Sequence, residues 1–196
     1  KAVPSVETSV IDELVRDTPY EARWKTLTAV MTAAHQQPAP SLIGDVAEAY
    51  PLLNTRILLD MPAAFYQLRL PTDIALTMGI KTKWGILVPS KFPMGIAYAP
   101  EMIQTILHCV VFRSCQQTHF ANPVQYHVHI DNVKLQHAEE PAVRRVADLI
   151  KAECHKWGLL INEELGTTYC GVEMAHGQNA VRVAPHTPAK IPVSPP

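Results

Sequence analysis

The sequence predicts an α+β domain, an antiparallel sheet with helices packed on one face. Three observations point there. Two runs read as strands: the apolar Arg56-Ile57-Leu58-Leu59-Asp60, and Val124 to Ile130, rich in β-branched and aromatic residues behind Pro123. Two longer segments, Tyr98 to about Cys115 and Glu139 to Trp157, repeat apolar residues at helical spacing. In chain order the elements read strand, hairpin, helix, hairpin, helix, strand, and a sheet carrying one helical layer satisfies that order.

The remaining elements follow from local signals. Ser9 with Asp12 predicts a first helix, Val10 to Arg16, with Val10, Ile11, Leu14 and Val15 inward. Thr18-Pro19-Tyr20-Glu21 predicts a second, with Thr18 as N-cap, Pro19 at the first helical position and Glu21 closing a capping box. It should run to about His35 and bury Trp24, Leu27, Val30 and Met31 as core. Gln36 to Pro40 is a polar link, and Ser41 caps a short helix ending before Pro51. Pro62 ends the extended run after Asp60 and opens a short helical turn. Ile74 to Ile80 and Trp84 to Val88, flanking Lys81-Thr82-Lys83, read as a hairpin. In the Tyr98 helix Met102, Ile103, Ile106, Leu107 and Val110 point inward. The Glu139 helix buries Val143, Val146, Leu149 and Ile150, turns Glu139, Glu140, Arg144, Arg145 and Lys151 to solvent, and stops at Gly158 in an αL cap. Short strands at Leu159–Ile161, Thr167–Glu173 and Ala180–Val183 follow.

Bulk properties set limits. At 196 residues the chain suits one domain with a good core. Charged residues are 18% and net charge is −1, so no overall positive field draws in a polyanion. That counts against autonomous, tight nucleic-acid binding and leaves a local basic groove open. The four cysteines lack CxxC spacing and read as free thiols of a reducing compartment. No apolar run of about 18 residues and no signal peptide occur, so the expectation is an intracellular chain with no membrane partner. The abrupt start at Lys1 suggests that more chain precedes it.

The chemistry centres on His129-Ile130-Asp131-Asn132-Val133, between the Val124–Ile130 strand and a second short strand, Val133 to His137. Asp131-Asn132 tolerates positive φ and reads as the hairpin turn. Two readings are open: a pair chosen for backbone geometry, or a carboxylate held at a rigid tip where a metal ion or substrate can reach it.

Three further stretches bear on that choice. Asp60-Met61-Pro62-Ala63-Ala64-Phe65-Tyr66-Gln67 ends the first strand. Pro93-Met94-Gly95 leads through Ala99-Pro100 to Gln104, and Gly158-Leu159-Leu160-Ile161-Asn162-Glu163-Glu164 closes the last helix. Taken in order with His129-Ile130-Asp131-Asn132, these resemble the palm motifs of reverse transcriptases, most closely those of LTR-type and related retrotransposons. The resemblance covers roughly Leu53 to Lys190. It implies a reduced, fingers-like helical segment at 1–52, a palm-like α+β domain at 53–184 and a Pro-rich tail at 185–196. It also implies catalytic positions at Asp60, Asp131 and Asn132, with Asp60 and Asp131 holding Mg²⁺ if the chain is active, and the main-chain carbonyl of Met61 as an extra ligand. Nucleotide-binding positions would be Phe65, Met94, Gly95 and Gln104, with Phe65 as the ring that excludes a ribose 2′-hydroxyl.

Phosphoryl transfer to a nucleoside triphosphate rests on positioning and on two Mg²⁺ ions about 3.5–4 Å apart, held by hard oxygen ligands. Several residues depart from the family pattern. Asn132 stands for the second aspartate, His129 for the tyrosine, Met94 for a Phe or Gln, and Leu165 for a later lysine. Arg23-Trp24-Lys25 is the nearest approach to the basic fingers motif, and thumb and RNase H regions are missing from this sequence. The expected function is therefore a catalytically impaired palm acting as a binding or scaffold module in a larger protein or ribonucleoprotein assembly, with RNA or DNA allowed as partner. The alternative is the palm of an active RNA-directed DNA polymerase.

Three weaker patterns remain. His127, His129 and Asp131 alternate as a mononuclear metal site would. Lys81, Lys83 and Lys91 with Trp84 and Phe92 form a basic-aromatic stretch suited to single-stranded nucleic acid, or a solvated hairpin tip with one buried Trp. Cys109 and Cys115 read as buried thiols, not nucleophiles.

Overall fold

β1 (Thr55–Asp60) is the strand on which the sheet is built. It pairs antiparallel with β5 (Asn132–His137) on one side and with β6 (Asn162–Glu164) on the other, and β4 (Gln125–His129) pairs with the far edge of β5. The sheet order is β4-β5-β1-β6. With α4 (Ala99–Cys115) between β1 and β4, and α5 (Glu140–Lys156) between β5 and β6, the chain traces two interlocked split βαβ units. A computed structural model describes residues 3–32, 55–166, 168–170, 172–174 and 181–183. The predicted 36–40 link, the helix capped by Ser41 and the Pro-rich tail at 185–196 lie outside the described residues.

Strand periodicity divides the sheet into two faces. Ile57, Leu59, Val128, Val133 and Leu135 are buried in the core with Met102, Ile103, Ile106, Leu107 and Val110 of α4 and Val143, Val146 and Ile150 of α5. Burying each such side chain is worth about 1.5–3 kcal/mol relative to exposure, which holds both helices on one face. Ala142 and Ala147 complete the α5 stripe, whereas Leu149 is only half-buried. Gly158, at φ 75, ends α5, and its N–H and that of Leu159 bond back to the His155 and Cys154 carbonyls.

Upstream, α1 (Thr8–Val15) begins before the predicted Val10, on Glu7 and not on a Ser9 cap. α2 (Glu21–Thr32, the last residue described there) follows. Glu21 does not close a box on Thr18: its carboxylate accepts the N–H of Asp17, whose φ of 60 turns the chain between the helices. The Thr18 hydroxyl accepts the Tyr20 N–H, as a residue capping this end would, and donates to the Val15 carbonyl. Trp24, Leu27 and Met31 are buried as predicted, while Val30 is half-buried.

The second hairpin departs most from expectation. Its predicted first arm is α3 (Thr72–Thr77), a short helix that Pro71 starts, with Ile74 and Ala75 inward. Only β2 (Ile80–Thr82) and β3 (Gly85–Leu87) pair, around a Lys83-Trp84 turn. Trp84 is not the expected buried ring: it is 78% exposed, and the fully buried aromatic of this stretch is Phe92. The segment 159–161 is likewise not a strand, and pairing begins at Asn162. The predicted 167–173 strand is two, β7 (Thr168–Tyr169) and β8 (Val172–Met174), broken where Cys170 adopts φ 48. β9 (Val181–Val183) pairs with β8. All four cysteines are free.

Candidate functional site at the β1 and β4–β5 strand ends

Asp60 closes β1, and its register partners are Asn132 in β5 and Asn162 in β6. His129 in β4 pairs in turn with Asn132. The row His129–Asn132–Asp60–Asn162 therefore crosses all four strands on the face opposite the core. Asp131 immediately precedes Asn132, and its carbonyl accepts the N–H of Met61 at 2.8 Å. The two acidic residues expected to meet are thus carried to adjoining strand ends. Asn132 Nδ2 donates to Asp131 Oδ1 at 2.9 Å.

The turn that presents Asp131 differs from the sequence reading. Asn132 belongs to β5, so the connecting pair is Ile130-Asp131, and the residue with positive φ is Ile130, at 52°. A β-branched residue is strained in this region, at about 1–3 kcal/mol. Two contacts hold it there. The Ile130 N–H donates to Gln104 Oε1 from α4 at 3.1 Å, and its side chain packs against the core.

Electrostatics mark the same spot. Burial pushes the Asp60 carboxyl above its ordinary value, and the charges of Asp131 and Glu164 add to the shift. Glu164 was not singled out from the sequence. It pairs with Leu58, one step diagonal from Asp60, which puts it on the same sheet face. Its signal was the Asn162-Glu163-Glu164 run, in which strand alternation sends Glu163 to Arg144 and Lys151 of α5 and Glu164 the other way. Among the described residues no group of three or more His, Cys, Asp or Glu is arranged to hold a metal ion. What the fold does bring together is the pair Asp60 and Asp131, at adjoining strand ends.

The positions expected to bind nucleotide are placed unevenly. Phe65 sits on a 3₁₀ turn (Ala64–Gln67) just after β1 and is half-buried against the core. Gln104 reaches the hairpin turn, engaged with its backbone. Gly95, at φ 100, bends the loop into α4, and Met94 beside it is 71% exposed. The basic residues upstream are engaged in ion pairs: Arg23 with Glu101, and Lys25 with Glu21. Trp24 between them is buried, its indole N–H on Asp12. Leu165 is almost fully exposed.

The mononuclear reading of His127, His129 and Asp131 loses its geometry, because Asp131 lies in the turn and strand alternation ends at His129. His127 is engaged elsewhere, its Nδ1 2.7 Å from the Tyr169 hydroxyl. Tyr169 covers this end of the open face, its ring 5.6 Å from the ammonium of the buried Lys134. Burial, opposed by Cys170 and aided by Arg56, lowers the Lys134 pKa to about 8. The unfavourable charge is present below about pH 8 and is relieved as pH rises towards the ordinary lysine value of 10.5. Wild-type stability should therefore climb between those values relative to Lys134→Met, and Lys134→Met should be the more stable at pH 7 by about 1 kcal/mol. Thermal denaturation at pH 7 and pH 10 checks both.

No protein-family model matches the chain, nor does any curated protein, so the functional reading rests on the geometry of this strand-end row.

Proposed function

We propose that this chain is a reverse-transcriptase-like palm, catalytically impaired, that acts as a binding or scaffold module in a larger protein or ribonucleoprotein assembly. The observation that carries this reading is Asn132. It occupies the row position beside Asp60, yet its amide donates to Asp131 in place of the carboxylate a second metal ligand requires. An amide presents one neutral acceptor where a carboxylate presents a full charge. The pairing of Arg23 and Lys25 with acids supports the same conclusion, since neither cation is left unpaired to grip a triphosphate.

A bound Mg²⁺ would stabilise charge on a transferring phosphoryl group. Asp60 and Asp131 are the residues that would hold it, with the Met61 carbonyl as a further oxygen. Gln104 positions the turn that carries Asp131, and Phe65 flanks the strand end. In a primer-extension assay with Mg²⁺ or Mn²⁺, the protein should give no synthesis above an Asp60→Asn control; Asp60-dependent synthesis would refute impairment.

The alternative, an active RNA-directed DNA polymerase palm, draws support from one feature. Burial raises the Asp60 pKa, and Asp131 and Glu164 raise it further, the latter a crowding of negative charge that a cation would relieve. The raised carboxyl implies that ionising Asp60 opposes folding above its ordinary range. Asp60→Asn should therefore raise Tm at pH 7 in EDTA, with a smaller gain at pH 4. Differential scanning calorimetry at the two pH values checks this.

A further inference from the structure

Among the described residues, exposed apolar side chains concentrate on α3, the β2–β3 hairpin and the segment after it, outside the strand-end row. Leu76, Ile80, Trp84, Ile86, Leu87 and Val88 are each between 44% and 78% exposed. An isolated two-stranded hairpin is marginal in water, and apolar patches of this kind mark interaction sites. Among the described residues no third strand pairs with either outer edge. The register gives the hairpin two unlike faces, one carrying Ile80 and Leu87 with the Thr82–Gly85 pair, the other carrying Lys81 beside Ile86. From Ile74 to Pro100 the sequence contains Lys81, Lys83 and Lys91 and no aspartate or glutamate.

We propose that the β2–β3 hairpin is a docking edge for an extended segment of a partner protein in which acidic and apolar residues alternate, added as a third strand. Backbone hydrogen bonds along the edge would supply affinity, and strand alternation would supply specificity. Apolar residues of the guest would lie on the Ile80–Leu87 face and acidic ones on the Lys81 face. A second copy of this chain fits poorly, because it would set lysine against lysine. Single-stranded nucleic acid also fits less well. The aliphatic side chains offer no stacking surface, and the Lys83 ammonium already lies over the Trp84 ring at 4.5 Å. The inference is independent of whether Asp60 and Asp131 support turnover.

The test uses the full chain and three fluorescent probes: an alternating Val-Glu peptide, an alternating Val-Lys peptide and an oligothymidylate. Fluorescence anisotropy should show the Val-Glu peptide binding in preference to the other two. Ile80→Lys, at an exposed position on the face that receives the guest's apolar residues, should weaken it at least about tenfold. The double variant Lys81→Glu and Lys83→Glu should invert the preference towards the Val-Lys peptide, a result that misfolding cannot produce. No binding of the Val-Glu peptide, equal binding by Ile80→Lys, or binding of the oligothymidylate alone would overturn the proposal.

Discussion

Replacing Asn132 by aspartate is expected to raise the affinity of the strand-end site for Mn²⁺ by up to about 10³-fold. The amide now donates to Asp131 Oδ1, so the substitution exchanges a partner of that carboxylate for a second negative charge. A charge pair at about 4 Å is worth ~4 kcal/mol at an effective dielectric near 20, the equivalent of about 10³ in a binding or rate constant. Without metal the same charge is unfavourable, because Asp131, Asp60 and Glu164 then face one another with no cation between them. Asn132→Asp should accordingly melt below the wild type in EDTA and recover with Mn²⁺. Isothermal titration together with melting curves separates the two effects. Unchanged affinity would show that Asn132 is not what weakens the site.

The second large effect is expected at Gln67. Its side chain is fully buried, and its carboxamide takes the place of a strand partner. The oxygen accepts the Leu160 N–H at 2.7 Å, and the nitrogen donates to the carbonyls of Leu160 and Pro62 at 3.0 and 2.8 Å. This clamp joins the turn after Asp60 to the segment that leads into β6, and so fixes both flanks of the strand-end row. Gln67→Ala leaves a buried N–H and two carbonyls without these partners and opens a void. The expected loss is about 3 kcal/mol, or roughly 6–12 °C in Tm for a chain of this size. A loss below about 0.5 kcal/mol by chemical denaturation would mean that water replaces the amide without penalty.

The same clamp shows why parts of the chain were illegible in sequence. Leu159-Leu160-Ile161 has strand composition, yet a distant glutamine satisfies its backbone, which no local pattern records. α4 and α5 were legible because their apolar stripes repeat over four turns or more, and burial follows the period wherever the helix docks. α3 is illegible in sequence because six residues hold too few periods, and Pro71-Thr72-Asp73 is its only local start signal. Sequence places the turn one residue late because Asp131-Asn132 has the better intrinsic preference for positive φ. Packing of Ile130 and its hydrogen bond to Gln104 override that preference. The meeting of Asp60 and Asp131 could be expected only from motif order. The approach of Glu164 depends on β6 register, and the exposure of Trp84 on what does not cover it.

The proposed palm requires Asp60 and Asp131 to act together on a cation. The direct measurement is a backbone amide NMR titration with substoichiometric Mn²⁺. Paramagnetic broadening should begin at Asp60, Met61, Asp131 and Asn132 and reach α5 last. Broadening that starts elsewhere, for instance at Asp148 or Glu140 on the solvent face of α5, or that leaves those four signals sharp, would contradict the assignment of this site.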